Sequence, residues 1–345
     1  TRAGNCHWWL SKRLRTRASS QARPGQAILG WQALGPRGFG WQAFDGWFKW
    51  LINRLQKIPG FSASPVPPLL LALLIPLVTL VFIFLLIHHF AGKHWLFFLY
   101  VPVLLYSLGR GNILADAREY IALATRGDGV AAAQLIDRLR GNTPAEQNSA
   151  DVSDWREMHT EALKVFAYRG FERSFAVLFW FFIAGPFGAL LYRLSVLYRD
   201  FAPQDSDSFR AASKWLWLLE LPAVRLMGVT WAFVGNFETC PLRKNLLDTQ
   251  SPSDYVLNEC LRGALGAPTD CSAATMAQMD PAEKAEMEEE MAEETQDIIE
   301  DLTGDVITTH SEPAYSFALV KSSLPLYSRS LLFWICAIAF ATLIV

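Results

Sequence analysis

The chain has 345 residues, of which 52% are hydrophobic and only 19% charged, with 13 Trp and 23 Phe. Soluble domains carry about 25% charged residues, so this composition points away from a water-solvated globule and towards a membrane. A formal net charge of -2 excludes nucleic acid as a partner held by bulk electrostatics, and the five cysteines, odd in number and without a CxxC pair, are expected to be reduced thiols rather than a disulfide framework.

No cleavable signal peptide is expected, because the first apolar stretch starts too late and is too long for one. Residues 1–45 are rich in Arg, Gly, Gln and Trp and carry the near-repeat GWQAL (30–34) and GWQAF (40–44). This composition predicts poor order there. Residues 41–55 place Trp41, Phe44, Trp47, Phe48, Leu51 and Leu55 at helical spacing, with Lys49 and Arg54 on the other side. That pattern predicts an amphipathic helix lying along the membrane interface, after which PGFSASPVPP (59–68) breaks any helix.

Residues 69–87, LLLALLIPLVTLVFIFLLI, form one uncharged apolar run. As a helix they would extend about 28 Å, close to the hydrocarbon thickness of a bilayer. Pro76 is tolerable inside such a helix if Thr79 or a neighbour satisfies the carbonyl it frees, and it predicts a kink. After a turn at 88–94, residues 95–108 return through the membrane. Residues 109–174 are polar and helical, interrupted at 141–154. A third apolar segment, 175–194, is centred on Gly185-Pro186-Phe187-Gly188, which predicts a broken or re-entrant helix instead of a clean span. Residues 214–235 are apolar but contain Glu220 and Arg225, with Leu221-Pro222 expected to break the helix between them. An acidic, solvated helix is expected within 280–305, and a last transmembrane helix at 327–345.

The expected fold is therefore all-α and polytopic, with four to five transmembrane or re-entrant helices and helical insertions. The divisions fall at 1–64, a 65–108 hairpin, 109–174, a 175–235 pair, 236–326 and 327–345. Lys49, Arg54 and Lys57 precede the first span, and Arg110, Arg118, Arg126, Lys164, Arg169 and Arg173 lie between spans two and three, whereas the 88–94 turn has only Lys93. The excess of positive charge places the amino-terminal region, 109–174 and 236–328 in the cytoplasm, with the 88–94 turn and the C-terminus outside.

Two constellations stand out. Arg110, Asp116, Arg118, Asp128, Arg169, Glu172 and Arg173 border the ends of spans two and three. Such a set either grips a phosphate or carboxylate through paired guanidinium groups or forms a collar of ordinary salt bridges. Glu220 and Arg225 lie in apolar sequence, where ionisable groups normally face an interior or a cavity. His88, His89 and His94 have no acidic or thiol neighbour, so no metal site is expected. No P-loop, HExxH, GxSxG or GxGxxG occurs, so no cofactor is expected and a nucleotide ligand has no motif behind it.

The ordered run LLYSLGRGNILADAREYIAL (104–123), ATRGDGVAAAQLIDRL (124–139), VLFWFFIAGPFGALLYR (177–193) and PAVRLMG (222–228) resembles the AmpE-type inner-membrane proteins, in the superfamily of the adenosylcobinamide-phosphate synthases CobD and CbiB. YRGFERS (168–174) stands where the synthases carry an acidic-Asn run ending in Asp-Gly, so the likeness is closer to the AmpE type and leans away from an enzyme. The resemblance implies a multi-pass protein of the bacterial inner membrane, its main loops cytoplasmic. It would act in β-lactamase induction and cell-wall recycling alongside a recycling or signalling protein as well as the lipid bilayer. The readings left open beside it are a membrane enzyme with a cytoplasmic-face phosphate or nucleotide site, and a transporter-like protein.

Overall fold

The computed structural model describes residues 42–57, 66–90, 92–108, 111–141, 154–204, 206–237, 239–240, 250–269, 281–303 and 312–344. Among these the regular elements are all helices, as expected of an all-α polytopic protein. The chain divides into two compact units, Thr1–Arg54 and Leu55–Val345. Most of residues 1–45, including Cys6, lies outside the described residues. The described residues of the first unit belong to α1 (Gln42–Leu55), which carries Asp45 in its first turn and Arg54 in its last, both favourable to the helix dipole. Trp47 and Trp50 are exposed, and the Arg54 guanidinium lies 5.5 Å from the centre of the Trp50 ring.

In the second unit α2 (Val66–Phe90) and α3 (Phe97–Ser107) form an apolar hairpin, turned by Gly92 at φ 81° and a short 3-10 segment, Lys93–Leu96. Phe84 stacks on Tyr100 across it, with ring centres 6.5 Å apart. Helix α2 continues through Pro76. The Thr79 hydroxyl bonds the Ile75 carbonyl at 2.8 Å and not that of Ala72, the carbonyl one turn before the proline. Polar helices follow: α4 (Ile113–Thr125), capped by the Asn112 side chain, and α5 (Gly129–Arg140), capped by Asp128. Then comes α6 (Trp155–Gly170), capped by Asp154. Burial pushes the Tyr120 hydroxyl of α4 up, so it stays protonated in its 2.8 Å hydrogen bond with His159 Nδ1 of α6.

Helix α6 runs through a widened π turn, Phe171–Phe175, into α7 (Ala176–Phe201). Among the described residues four stretches are long and apolar enough to cross a membrane: Val66–Phe90, Trp155–Phe201, Asp207–Val234 and Ala314–Phe340. The second of these is not straight. Gly185 takes φ 59° and ψ −149°, a conformation that a side chain would strain, and the chain folds back on itself there. Residues Glu172 and Arg199 are 27 apart and would be separated by about 40 Å along an unbroken helix. Their side chains instead meet at 2.9 Å. Gly188 permits this closure, since a Cβ there would run into the Trp180 carbonyl and lie 2.8 Å from the Ala184 Cβ. The break expected at Gly185-Pro186 is thus present, and both arms of the hairpin end on the same side.

Helix α8 (Asp207–Val234) continues through Pro222, so the break expected at Leu221-Pro222 does not occur. Helix α9 (Ser253–Ala264) packs on α8 and α6. The acidic helix α10 (Pro281–Thr303) is not simply solvated. Its Thr295 and Ile299 are buried, the Thr295 hydroxyl reaches the Gly266 carbonyl at 2.7 Å, and Asp301 meets Arg329 at 3.1 Å. The last helix, α11 (Glu312–Ile344), begins well before residue 327. Tyr327 anchors it, donating to the Gly170 carbonyl at 2.7 Å and passing so close that a Cβ on Gly170 would lie 2.8 Å from its ring. Cys240, Cys260 and Cys336 carry no disulfide, while Cys271 lies outside the described residues. A hydrogen bond with Cys260 and burial push the Cys240 thiol up.

Candidate functional site

Folding back at Gly185 brings the ends of α6 and α7 together and buries ionisable side chains between them and α8. Arg169, in the last turn of α6, donates through Nη1 to both oxygens of Glu172 at 2.9 Å. Its Nε and Nη2 donate to the carbonyls of Leu139 and Arg140, so the same guanidinium caps the open end of α5. Gly141, at φ 51°, leaves room for it, since a Cβ there would sit 3.0 Å from Nη2. Arg199, 1% exposed, donates through Nη2 to Glu172 Oε2 at 2.9 Å and through Nη1 to the Tyr168 hydroxyl at 2.8 Å. Tyr168 and Tyr192 each donate to Glu220 Oε1 at 3.1 Å.

Two guanidinium groups and two carboxylates are therefore joined through Tyr168 into a continuous buried network. Removing an ion from water costs several kcal/mol, and pairing offsets that only with good geometry and satisfied lone pairs. Here both requirements are met at Glu172, which accepts from two arginines. The π turn lies within the network, a feature often found at functional sites.

Beside the network is a cavity of about 340 Å³, walled by the end of α5 and by α6, α7, α8 and α9. Tyr168, Arg169, Arg199 and Glu220 form its floor, with Arg140, Glu161, Lys164, Trp217 and Asp254 among the remaining walls. Arg140 Nη2 meets Glu161 at 2.5 Å, and Lys164 Nζ lies 3.7 Å from Asp254.

Of the residues singled out in the sequence, Arg169, Glu172 and Glu220 come together in this network. Arg173 and Asp116 form a separate ion pair at 3.4 Å alongside it. The other four are elsewhere. Arg118 is exposed, Asp128 is the cap of α5, Arg225 bonds the Leu221 carbonyl of its own helix at 2.8 Å, and Arg110 lies outside the described residues. The two constellations read separately in the sequence thus overlap at a single network. Within the seven-residue set, Arg169, Glu172, Arg173 and Asp116 are engaged in ion pairs and Asp128 in a helix cap. Among the described residues no group of His, Cys, Asp or Glu is placed to hold a metal ion.

Sequence reasoning missed Tyr168, Tyr192 and Arg199. A signal was available for Arg199. It lies fourteen residues after Gly185 and Glu172 lies thirteen before it, so a hairpin turning at that glycine places the two opposite each other.

These features define an α-helical membrane protein with a charged network and a cavity between its helices. The chain belongs to the family described as the regulatory signalling modulator protein AmpE, whose model matches residues 26–265, a stretch that contains every residue of the network and the cavity wall. Comparisons with curated proteins and with solved structures found no match.

Proposed function

We propose that this protein is a regulator in the bacterial inner membrane that acts in the signalling controlling β-lactamase induction and cell-wall recycling. Its polar face, built on residues 109–174, lies in the cytoplasm. The cavity floored by Arg169, Arg199 and Glu220 is its working site, where occupancy is read out to α5 through the Arg169 guanidinium. The observation that carries this reading is that one side chain, Arg169, both floors the cavity and holds the last carbonyls of α5, an element of the polar face. Family membership supports a regulatory role. The partner would be a cell-wall recycling or signalling protein meeting α4 and α5, and no reaction chemistry is assigned.

The test is β-lactamase induction in a Gram-negative strain lacking its own AmpE-type gene, with and without this chain. Restored induction is expected. Lys164→Ala, a wall substitution away from the buried network, is expected to change the response while leaving the amount of protein in the membrane unaltered. Absence of any effect from a chain confirmed in the membrane would remove the assignment. Alanine at Arg169 and Glu172 together is not a usable variant, because it strips the end of α5 and leaves Arg199 without its main carboxylate.

A further inference from the structure

Among the described residues seven charged side chains line the cavity, and six of them meet an opposite charge within 4 Å. Arg140 pairs with Glu161 and Lys164 with Asp254, while Arg169 and Arg199 share Glu172. Glu220 is different. It is 2% exposed and has no cation within ion-pair distance among the described residues. Its hydrogen bonds come from the neutral hydroxyls of Tyr168 and Tyr192 and from Ser253. Arg199 is one hydroxyl away, because its guanidinium ends on the Tyr168 oxygen. A second polar group is left over on the same wall: the Ser213 hydroxyl oxygen is buried and has no hydrogen-bond partner among the described residues. The remaining surface includes Trp217, Leu216 and Val165.

We propose that the cavity binds a small organic ammonium ion, its charged head on Glu220, its apolar body against Trp217, Leu216 and Val165, and a polar substituent bonded to Ser213. An ammonium group supplies the positive charge that Glu220 lacks within ion-pair distance among the described residues. A bare divalent metal is a poor fit. It would need about six oxygen ligands, whereas the tyrosine hydroxyls here spend their protons on Glu220 and the space far exceeds one ion. An anion would meet Glu220 at close range in surroundings that screen poorly.

This inference deepens the reading of the cavity as the working site. The test is thermal unfolding and titration calorimetry of the full chain in mild detergent. Propylammonium and 2-phenylethylammonium are compared with the near-isosteric 1-propanol and with propionate. The ammonium compounds are expected to raise the melting temperature saturably by a few degrees, and the neutral and anionic probes to leave it unchanged. Glu220→Gln, which keeps an acceptor for both tyrosines but removes the charge, is expected to weaken ammonium binding about tenfold or more, and Ser213→Ala to leave binding of these two probes intact. The proposal is overturned if neither ammonium compound shifts the transition, if 1-propanol or propionate shifts it equally, or if folded Glu220→Gln binds as well as the native chain. Should that variant not fold, the ammonium-against-alcohol comparison on the native chain decides alone. Ammonium binding without any effect on induction would retain the site and remove the regulatory role, whereas restored induction with no ammonium binding would do the reverse.

Discussion

Helix α2 and the stretch from Tyr168 to Glu220 are both apolar in composition, yet they use that composition in opposite ways. In α2 only 17% of the most apolar window is buried, and Leu74, Val78 and Phe82 stand more than half exposed. In Asp207–Val234 half of the corresponding window is buried, and the ionisable groups of the network are among the least exposed in the molecule. An exposed apolar helix in water would be a large liability, so α2 requires lipid around it. The second stretch requires its own partners. Its apolar residues pack on neighbouring helices and shield charges that neither water nor lipid solvates. One region therefore anchors the chain in the bilayer, and the other holds a polar site inside the protein.

The sharpest way to break this contrast is to unpair the network. Arg199→Ala leaves Glu172 with one guanidinium instead of two and removes the donor to Tyr168. Losing one partner of a buried ion pair costs about 3–5 kcal/mol. The expected outcome is a large fall in the yield of monodisperse protein extracted in mild detergent, and a markedly lower melting temperature for what remains. A variant with the native melting temperature would show that the buried charges do not depend on one another.

A smaller effect is expected at the hairpin tip. Gly188→Ala places a methyl group against the Trp180 carbonyl and the Ala184 side chain, on backbone that cannot easily give way. Overpacking of this kind costs about 1–3 kcal/mol. Because the tip sets how the two arms meet, this variant is expected to melt a few degrees lower in mild detergent. An unchanged melting temperature would mean that the arms do not close tightly at Gly188.

How much of this was legible in the sequence depends on the range of the interaction involved. The uncharged run at 69–87 and the glycine-proline break at 185–186 are local signals, and each reads directly as structure. Glu220 was recognisable because a carboxylate in apolar sequence needs a reason. Its partners were not, because Tyr168 and Tyr192 are 52 and 28 residues away and tyrosines are ordinary in membrane helices. Arg225 carried the same signal as Glu220, and its guanidinium bonds the Leu221 carbonyl of its own helix. The expectation of a break at Pro222 failed because packing on α7 and α9 holds α8 together across the missing N–H.

The smallest expected effect, at Leu74, sharpens the comparison because the same substitution can be set against Leu216 in the other region. Leu216 in α8 is 1% exposed and sits in the wall of the cavity, whereas Leu74 in α2 is 51% exposed. Leucine to alanine in a packed interior costs about 2–5 kcal/mol, some of it for the space left behind. At Leu74 no such space forms, because mobile lipid or detergent chains fill it and lie against the remaining surface in both folded and unfolded states. Leu74→Ala is therefore expected to change stability by less than about 0.5 kcal/mol, as at other positions without native contacts. The measurement is the melting temperature of both variants in the same detergent, where Leu216→Ala should fall by several degrees and Leu74→Ala should remain within error of the native chain. Equal losses would mean that another protein surface, not lipid, covers this face of α2, and would turn its exposed leucines and phenylalanines from an anchor into a subunit contact.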